Sequence, residues 1–395
     1  MICSSLSSAN VWSVSRPLPT ALTLGMTIAM LAMPLLAMPL LATPMLAEEK
    51  RDDTPESPTG TRIAVANRAG GNITLIDGAS ERTLTIELEP GSEPMYAQNP
   101  FFSDEIWIGD RGNDRVLIYD ALRLRRVAEI PTGEGVFHMW NHGTLRQFWV
   151  VADVDKSMTV IDLDTRAVLA TVPIPADLEA DFKPHDITVT PDSAIVTLLG
   201  TTDPSVGYLV KYSGSTFEET ARLEVGGDPH VFYWGFEESR LYVATQRDGR
   251  VLWVDPVTLN ICANLKIPGA HGIWANEDET HLYVGNIESA DGLASIYTID
   301  IPTFTVTSIA DGVLPNPHNL MVSIDNTKLF VTHSGGDSVS SAVYDVNPAT
   351  GEVSNGRVVT ADANPFGIML IRDPLCEVGA KQGRGERKPI HLDAN

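Results

Sequence analysis

The sequence predicts an all-β protein folded as a seven-bladed β-propeller. Four segments that each carry a histidine recur along the chain: "KPHDITVTPD" at 183–192, "DPHVFYWGFE" at 228–237, "GAHGIWANED" at 269–278 and "NPHNLMVSID" at 316–325. Their histidines, His185, His230, His271 and His318, are 45, 41 and 47 residues apart. A period of 40-odd residues is the signature of a propeller or another repeat array.

Each repeat contains four predicted strands. In the third of these histidine repeats they are "HGIWAN", "HLYVGN", "SIYTID" and "TVTSI". Val, Ile, Tyr and Trp alternate along such segments, and Gly, Asn, Asp and Pro bound them, which is typical of strands. No repeat shows a sustained helical period. Four strands in a unit of this length predict one propeller blade.

The second strands count the repeats. They read "IAVAN" (63–67), "IWIGD" (106–110), "FWVVA" (148–152), "IVTLL" (195–199), "LYVAT" (241–245), "LYVGN" (282–286) and "LFVTH" (329–333). The first unit lacks its inner strand, and "NPFGIML" at 364–370 supplies an inner strand that has no unit of its own. We therefore predict that this last strand completes the first blade, which closes the ring and leaves no open sheet edge.

The segments outside the repeats predict an exported protein. Residues 1–47 carry Arg16 as their only charge and contain an apolar run from Ala21 to Ala47, which predicts an export signal. The run is long enough for a membrane anchor, but its three prolines disfavour a stable spanning helix. We expect a periplasmic or secreted protein with no stable membrane span once the signal is removed; whether the signal is cleaved stays open.

Three further segments complete the predicted domain organisation. Residues 48–60 are polar and proline-rich and predict a flexible lead-in. The propeller is predicted over 61–373. The remaining residues, 374–395, predict a disordered tail.

Charge and cysteine content exclude several classes of partner and cofactor. The net charge of −23, from 51 acidic and 28 basic residues, disfavours nucleic acid as a partner. No CxxCH segment is present, so a covalent c-type haem is excluded. Beyond Cys3, only Cys262 and Cys376 remain. They are predicted on distant blades, so we expect them to stay unpaired.

The fold would gather the histidines at one mouth of the central channel. Inner strands line the channel, and their first residues meet at one mouth. Antiparallel second strands end at the same mouth, which adds His333 and Asp110, with Asp153 one residue beyond its strand. His138 follows Phe137 and would join by a one-residue shift. The first residues, in ring order, are Phe366, Met95, Phe137, His185, His230, His271 and His318.

Such a cluster of imidazoles suits a metal ion or a metallo-cofactor, because a metal binds the neutral imidazole and several charged imidazoles would repel one another. A thioether from Met95 would favour copper first and zinc second. Met95, Asp110 and Asp153 are predicted to contact this cofactor. A histidine at the start of a strand can also simply satisfy a loop carbonyl. The predicted metal ligands are His138, His185, His230, His271, His318 and His333.

The repeat resembles a known family. "PHDITVTPD", then strands ending "LYVGN" or "LYVAT", then "VLWVD" and "YTID", are similar to the YVTN-type β-propeller repeat over residues 61–371. The resemblance implies the fold but not one activity, since propellers carry unrelated activities. The hub histidines also resemble those of the nitrous oxide reductase propeller, which surround copper, although this chain lacks the Cys-rich electron-entry domain of that enzyme.

Three functions fit these observations. The favoured prediction is an exported binding protein that holds a transition metal or metallo-cofactor at the mouth for delivery or scaffolding. The alternative is a metal-dependent enzyme, an oxidoreductase, lyase or lactonase, acting on a small molecule at the same mouth. The second alternative is a metal-free platform for a partner protein. An open metal position and a nearby general base would distinguish the enzyme from the binding protein.

Overall fold

A computed structural model describes residues 61–100, 103–234, 240–287, 295–335 and 337–372. The predicted export signal, the lead-in and the tail lie outside the described residues, so these three predictions stay as they were made.

The described residues form 28 β-strands and one short 3₁₀ helix, Arg111–Asn113. The strands are β1 (Thr61–Asn67), β2 (Asn72–Asp77), β3 (Thr83–Glu87), β4 (Pro94–Gln98), β5 (Glu105–Asp110), β6 (Arg115–Asp120), β7 (Arg126–Pro131), β8 (Val136–His142), β9 (Gln147–Ala152), β10 (Ser157–Asp162), β11 (Val168–Pro173), β12 (Phe182–Val189), β13 (Ser193–Gly200), β14 (Val206–Ser213), β15 (Glu219–Gly226), β16 (Pro229–Trp234), β17 (Arg240–Thr245), β18 (Arg250–Val254), β19 (Ile261–Lys266), β20 (Ala270–Ala275), β21 (His281–Asn286), β22 (Ser295–Asp300), β23 (Thr305–Asp311), β24 (Pro317–Val322), β25 (Lys328–His333), β26 (Ser340–Val346), β27 (Val353–Thr360) and β28 (Pro365–Arg372).

These strands form seven antiparallel sheets of four strands each, which confirms the predicted seven-bladed propeller. Six blades are built from four consecutive strands, from β4–β7 to β24–β27. The first blade has the order β28-β1-β2-β3, so the C-terminal strand supplies its inner strand, as predicted. Ile63 of β1 pairs with Leu370 of β28 across this closure.

The core lies between neighbouring blades. Second strands are buried along nearly their whole length, as in β9, and third strands are buried or partly buried, as in β2 and β14, because both faces pack against adjacent sheets. Fourth strands are mostly exposed, as in β3, where Ile86 is the buried position. Apolar residues therefore run continuously through the inner layers and alternate with polar residues only at the rim.

The inner strands share an irregularity at one mouth. In β4, β8, β12, β20, β24 and β28 the pairing with the neighbouring strand shifts by one residue. In β12, for example, Pro184 pairs with Leu198 but Ile187 pairs with Val196, which leaves one extra residue on the inner strand. This is a β-bulge, which kinks the strand and redirects side chains. The inner strand β16 is regular.

Three aromatic side chains meet deeper in the channel. The ring centroids of Phe232 and Trp274 are 4.6 Å apart, and Trp140 lies 6.5 Å and 5.9 Å from them. They come from three different blades, so they pack across the channel. The mouth that gathers the histidines is therefore backed by an apolar floor.

Cys262, on the outer strand β19, is disulfide-bonded. The expectation that Cys262 and Cys376 do not pair with each other stays a prediction, because Cys376 lies outside the described residues. No helix within the described ranges is long and apolar enough to cross a membrane.

Candidate functional site

Six aromatic rings form a closed circle at the bulged mouth. His185 and His230 have ring centroids 4.8 Å apart, His230 and His271 3.8 Å, and His271 and His318 4.6 Å. Phe366 and Phe137 complete the circle, with contacts of 4.1 Å to His318 and 5.0 Å to His185. Strands from six of the seven blades contribute to it.

A second layer lies directly below this circle and comes from the second residues of the bulges. His138 follows Phe137, Asp186 follows His185, and Asn319 follows His318. Because a bulge places two residues opposite one, both members of each pair reach the channel. The one-residue shift considered for His138 is thus unnecessary, since the bulge brings in Phe137 and His138 together.

The second layer contains a buried hydrogen-bonded chain. Asp186 Oδ1 is 2.7 Å from His138 Nδ1, and His138 Nε2 is 2.7 Å from the hydroxyl of Tyr96. The carboxylate therefore accepts from Nδ1–H, which leaves Nε2 to accept the Tyr96 proton. Asn319 donates to the Tyr96 oxygen at 3.3 Å. All four side chains are well buried or partly buried at the mouth.

Asp186 is held from both neighbouring blades. Its Oδ1 accepts the amide of Ile187 at 2.7 Å, and its Oδ2 accepts the amide of Val231 in β16 at 3.0 Å. Its Oδ2 also lies 3.7 Å from His230 Nδ1. Burial alone would raise the pKa of Asp186, but His138 and His230 hold the pKa below its usual range, so the group is ionised.

The histidines of the circle have different charges. Burial and the neighbouring His230 hold the pKa values of His185 and His271 well below the ordinary value. Burial also opposes protonation of His230, but Asp186 and Asp228 outweigh it and raise the pKa of His230 to about 9. One imidazolium is thus flanked by neutral imidazoles.

The chain from Asp186 to Tyr96 is also set in definite protonation states. Burial outweighs the attraction of Asp186 and lowers the pKa of His138, so this imidazole is neutral. Burial, with Asp186 nearby, raises the pKa of Tyr96 well above its ordinary value. The chain is therefore a carboxylate, a neutral imidazole and a phenol, in that order.

A small cavity adjoins this chain. Its volume is about 60 Å³, and Tyr96, His138, Asp186, His230 and Asn319 are among its lining residues. Such a space holds about two water molecules. The polar groups around it can supply the partners that buried water requires.

The structure places four predicted residues outside the cluster: Met95, Asp110, Asp153 and His333. Met95 has no exposed surface and packs among Trp107, Val136 and Phe148, so its predicted position at the mouth is corrected. The bulge in β4 turns Tyr96, rather than Met95, toward the channel. The sequence offered no sign of this, because the bulge shifts the alternation by one residue.

The two predicted carboxylates lie where second strands end: Asp110 is the last residue of β5, and Asp153 directly follows β9. Asp110 accepts hydrogen bonds from Ser92, Arg115 and Asn113, and Asp153 binds Arg111 at 2.7 Å. Both carboxylates have partners that order the loops. Their predicted contact with a cofactor stays a prediction.

His333 lies apart from the other histidines. Its Nδ1 donates to the carbonyl of Pro315 at 2.7 Å, and no ring contact joins it to the circle among the described residues. The structure therefore brings together five of the six predicted ligands: His138, His185, His230, His271 and His318.

The cluster can hold a metal ion. His138, His185 and His230 each offer a ring nitrogen within 4.8 Å of those of the other two. Both nitrogens of His138 already have partners in Asp186 and Tyr96. The Nε2 atoms of His185, His230 and His271 are buried and make no hydrogen bond within the described structure. Imidazole nitrogen suits zinc, copper, nickel and iron.

The sequence prediction missed four residues of the site: Tyr96, Asp186, Asp228 and Asn319. Asp186 and Asn319 directly follow a predicted histidine, and Asp228 stands two residues before His230 in "DPH". A search for polar residues on either side of each recurring histidine would have found these three. Tyr96 follows Met95 in the same way, but its repeat has no histidine to mark it.

The fold and the site together define a class of proteins: seven-bladed β-propellers that carry ionisable groups at one mouth of the central channel. A model of the family described as lactonase, seven-bladed β-propeller, matches residues 57–257, about half of the chain. The chain belongs to this family. No curated protein matches it. The YVTN-type repeat is a more specific assignment than this family, and the resemblance to it stays a prediction.

Solved structures show the same fold. A protein from Bacteroides fragilis described as a candidate 6-phosphogluconolactonase is 14% identical with a TM-score of 0.63, covering 80% of this chain and 99% of that one. The periplasmic gluconolactonase PpgL of Pseudomonas aeruginosa is 14% identical with a TM-score of 0.62, covering 80% and 99%. Hydrazine synthase of Kuenenia stuttgartiensis is 12% identical with a TM-score of 0.52, covering 77% and 94%.

These comparisons correct the favoured function. Membership of a lactonase family contradicts the prediction of a binding protein that delivers a metal or scaffolds a partner. It agrees with the alternative, in which the mouth acts on a small molecule.

Proposed function

We propose that this protein is a lactonase that hydrolyses cyclic esters at the histidine-lined mouth. Its family membership supports an enzyme of this class. Two proteins of the same fold are described as a candidate 6-phosphogluconolactonase and a periplasmic gluconolactonase, which favours lactones of sugar acids as the substrate class. The partner at the mouth is thus a small molecule.

The observation that carries the proposal is the chain from Asp186 through His138 to Tyr96. Water attacks the lactone carbonyl carbon and gives one proton to the Tyr96 oxygen, while the Tyr96 hydroxyl proton passes to His138 Nε2 over 2.7 Å. Asp186 stabilises the imidazolium that forms. When the ring carbon–oxygen bond breaks, the same chain returns a proton to the leaving alkoxide, and the product is an open-chain hydroxy acid.

Positive charge near this chain stabilises the transition state. The imidazolium of His230 lies beside His138, with ring centroids 6.0 Å apart. Negative charge develops on the carbonyl oxygen when water attacks, and a fixed positive charge in a water-poor site stabilises it strongly. The cavity beside Tyr96 is large enough to hold the attacking water.

Location and cofactor identity belong to the same proposal. The apolar leader over residues 1–47 and the periplasmic location of PpgL support export to the periplasm. The preference for copper depended on the thioether of Met95, which is buried in the apolar core. For hydrolysis we therefore place zinc ahead of copper, since zinc acts as a Lewis acid without redox chemistry.

Hydrolysis of a lactone panel tests the proposal. The panel contains glucono-δ-lactone, its 6-phosphate and γ-butyrolactone, and acid release is followed in a pH-stat after subtraction of spontaneous opening. We expect catalysis of at least one sugar-acid lactone. Tyr96→Phe and His138→Gln should lower kcat roughly 100-fold or more, because each removes a proton-transfer group.

The matched control is His142→Gln. His142 lies at the other end of β8, and burial without a carboxylate partner lowers its pKa. This variant should keep full activity. The proposal fails if no lactone in the panel is opened faster than in buffer, or if Tyr96→Phe retains the wild-type kcat.

A further inference from the structure

The Nε2 atoms of His185 and His230 approach one carboxylate oxygen of Asp228 near the Asp186–His138–Tyr96 chain, and the His271 ring packs against His230 with a centroid distance of 3.8 Å. The Nε2 atoms of His185, His230 and His271 are buried without a hydrogen bond in the described structure. Asp228 Oδ1 lies 3.4 Å from His185 Nε2 and 3.5 Å from His230 Nε2. Both distances are too long for good hydrogen bonds, and the same oxygen atom lies near both imidazoles.

The spacing matches that of ligands around one metal ion. Ligands 2.0–2.1 Å from a tetrahedral zinc ion are about 3.3 Å from one another. Asp228 Oδ1 stands at nearly this distance from each of two ring nitrogens. An ion placed between these atoms would satisfy nitrogens that otherwise have no partner.

Neighbouring oxygens orient the imidazoles for this role. Gln246 Oε1 accepts the Nδ1–H of His271 at 2.7 Å, which leaves the lone pair on Nε2. Asp186 Oδ2 lies 3.7 Å from His230 Nδ1 and likewise favours a proton on Nδ1, which leaves the lone pair on Nε2. Metal-binding histidines usually donate their other ring N–H to such an oxygen, which fixes the tautomer and the ring orientation. His138 is excluded, because Tyr96 occupies its Nε2.

The turn that carries Asp228 points to the same site. In five of the seven repeats, the residue two positions before the member of the aromatic circle has a positive φ. These residues are Gly135, Asp228, Gly269, Asn316 and Asn364. This left-handed conformation favours glycine, asparagine and aspartate. Asp228, with φ 54°, is the one charged residue among the five, and its carboxylate lies near the Nε2 atoms of His185 and His230. The turn therefore presents a carboxylate to these two imidazoles.

We propose that the Nε2 atoms of His185, His230 and His271 and the carboxylate of Asp228 bind one divalent transition-metal ion of the zinc class. The carboxylates of Asp186, which is buried, and Asp228, which is partly buried, favour positive charge among these imidazoles. The role of the ion rests on the proposed lactonase function: binding of the ion would displace the His230 proton, and the ion would then supply, in place of the imidazolium, the charge that stabilises the carbonyl oxygen during hydrolysis. The proposed set of metal ligands does not depend on that function.

The test measures metal binding without any lactone. The full chain is purified without a polyhistidine tag, stripped with a chelator and titrated with CoCl₂, whose visible absorption reports coordination, and with ZnCl₂ in competition. We expect one equivalent to bind. Asp228→Asn keeps the left-handed turn and nearly the same shape but removes the charge; it should lower the affinity at least tenfold, as should His230→Gln.

Two comparisons keep the result interpretable. His142→Gln, at the far end of β8, should bind cobalt like the wild-type chain, and thermal unfolding of each stripped variant checks that it is folded. Binding in Asp228→Asn equal to that of the wild type, or no binding in the folded wild type, overturns the metal site. A folded protein that binds cobalt but opens no lactone would contradict the proposed function and leave the metal site standing.

Discussion

At the scale of single residues, the recurring histidines were predictable, and their partners were only partly so. The repeat period identified His185, His230, His271 and His318 because each opens an inner strand. Nothing in a single sequence shows that Asp186 and Asp228 face imidazoles on the neighbouring blade. That contact depends on the angle between two sheets, which the alternation within one strand does not encode.

His333 provides a test of buried imidazole chemistry away from the site. Burial outweighs its hydrogen bond to Pro315 and lowers the pKa of His333 to about 4. The unfolded chain, with an ordinary pKa near 6.5, binds the proton first as the pH falls. The contribution of this residue is therefore complete above about pH 6.5 and is lost as the pH falls toward 4.

We expect His333→Gln to reduce the acid sensitivity of folding. The loss of unfolding free energy between pH 6.5 and 4 should be smaller in the variant than in the wild type by about 3 kcal/mol, from about 1.4 kcal/mol per pKa unit. Urea unfolding at several pH values measures this difference. Parallel pH profiles for the two proteins would show that His333 is not buried in its neutral form.

At the scale of the strand, the bulges explain both the success and the failure of the prediction. Strand order, blade count and closure follow from patterns within each repeat, and the structure confirms them. The extra residue in six inner strands is invisible to these patterns, because it changes the pairing and not the composition. Met95 was therefore predicted at the mouth in place of Tyr96.

Gly272 shows how tightly the bulges pack. A Cβ atom at this position would lie 2.2 Å from the carbonyl oxygen of His318 in the next blade. Gly272→Ala must separate β20 from β24, so we expect a loss of stability of about 1–3 kcal/mol and weaker cobalt binding through His271. Gly285→Ala, where the nearest atom is 3.3 Å away, should cost less. Equal melting temperatures for the two variants would contradict this packing.

At the scale of the whole molecule, the closure of the ring by β28 holds the first blade together. Its residues Ile368, Met369, Leu370 and Ile371 are all at least nine-tenths buried. Each buried apolar side chain contributes about 1.5–3 kcal/mol. Together they equal much of the stability of a typical protein.

Deletion of residues 361–395 should therefore prevent cooperative folding, because it removes the inner strand of the first blade and exposes the edge of β1. Deletion of 377–395, which removes most of the predicted disordered tail but keeps every cysteine available to pair with Cys262, should leave the melting temperature unchanged. Thermal unfolding of the two truncated proteins decides this. A cooperative transition at the wild-type temperature in the shorter chain would show that the closure is dispensable.

The regular pairing of β16 has a consequence for how such a site arises. Seven identical repeats would give a mouth with sevenfold symmetry and no preferred direction. One inner strand lacks the extra residue that the other six carry, and beside it the amide of Val231 reaches Asp186 across the blade boundary. The length difference corresponds to a single codon. Gain or loss of one codon in one duplicated unit thus makes one blade different from the other six at the mouth.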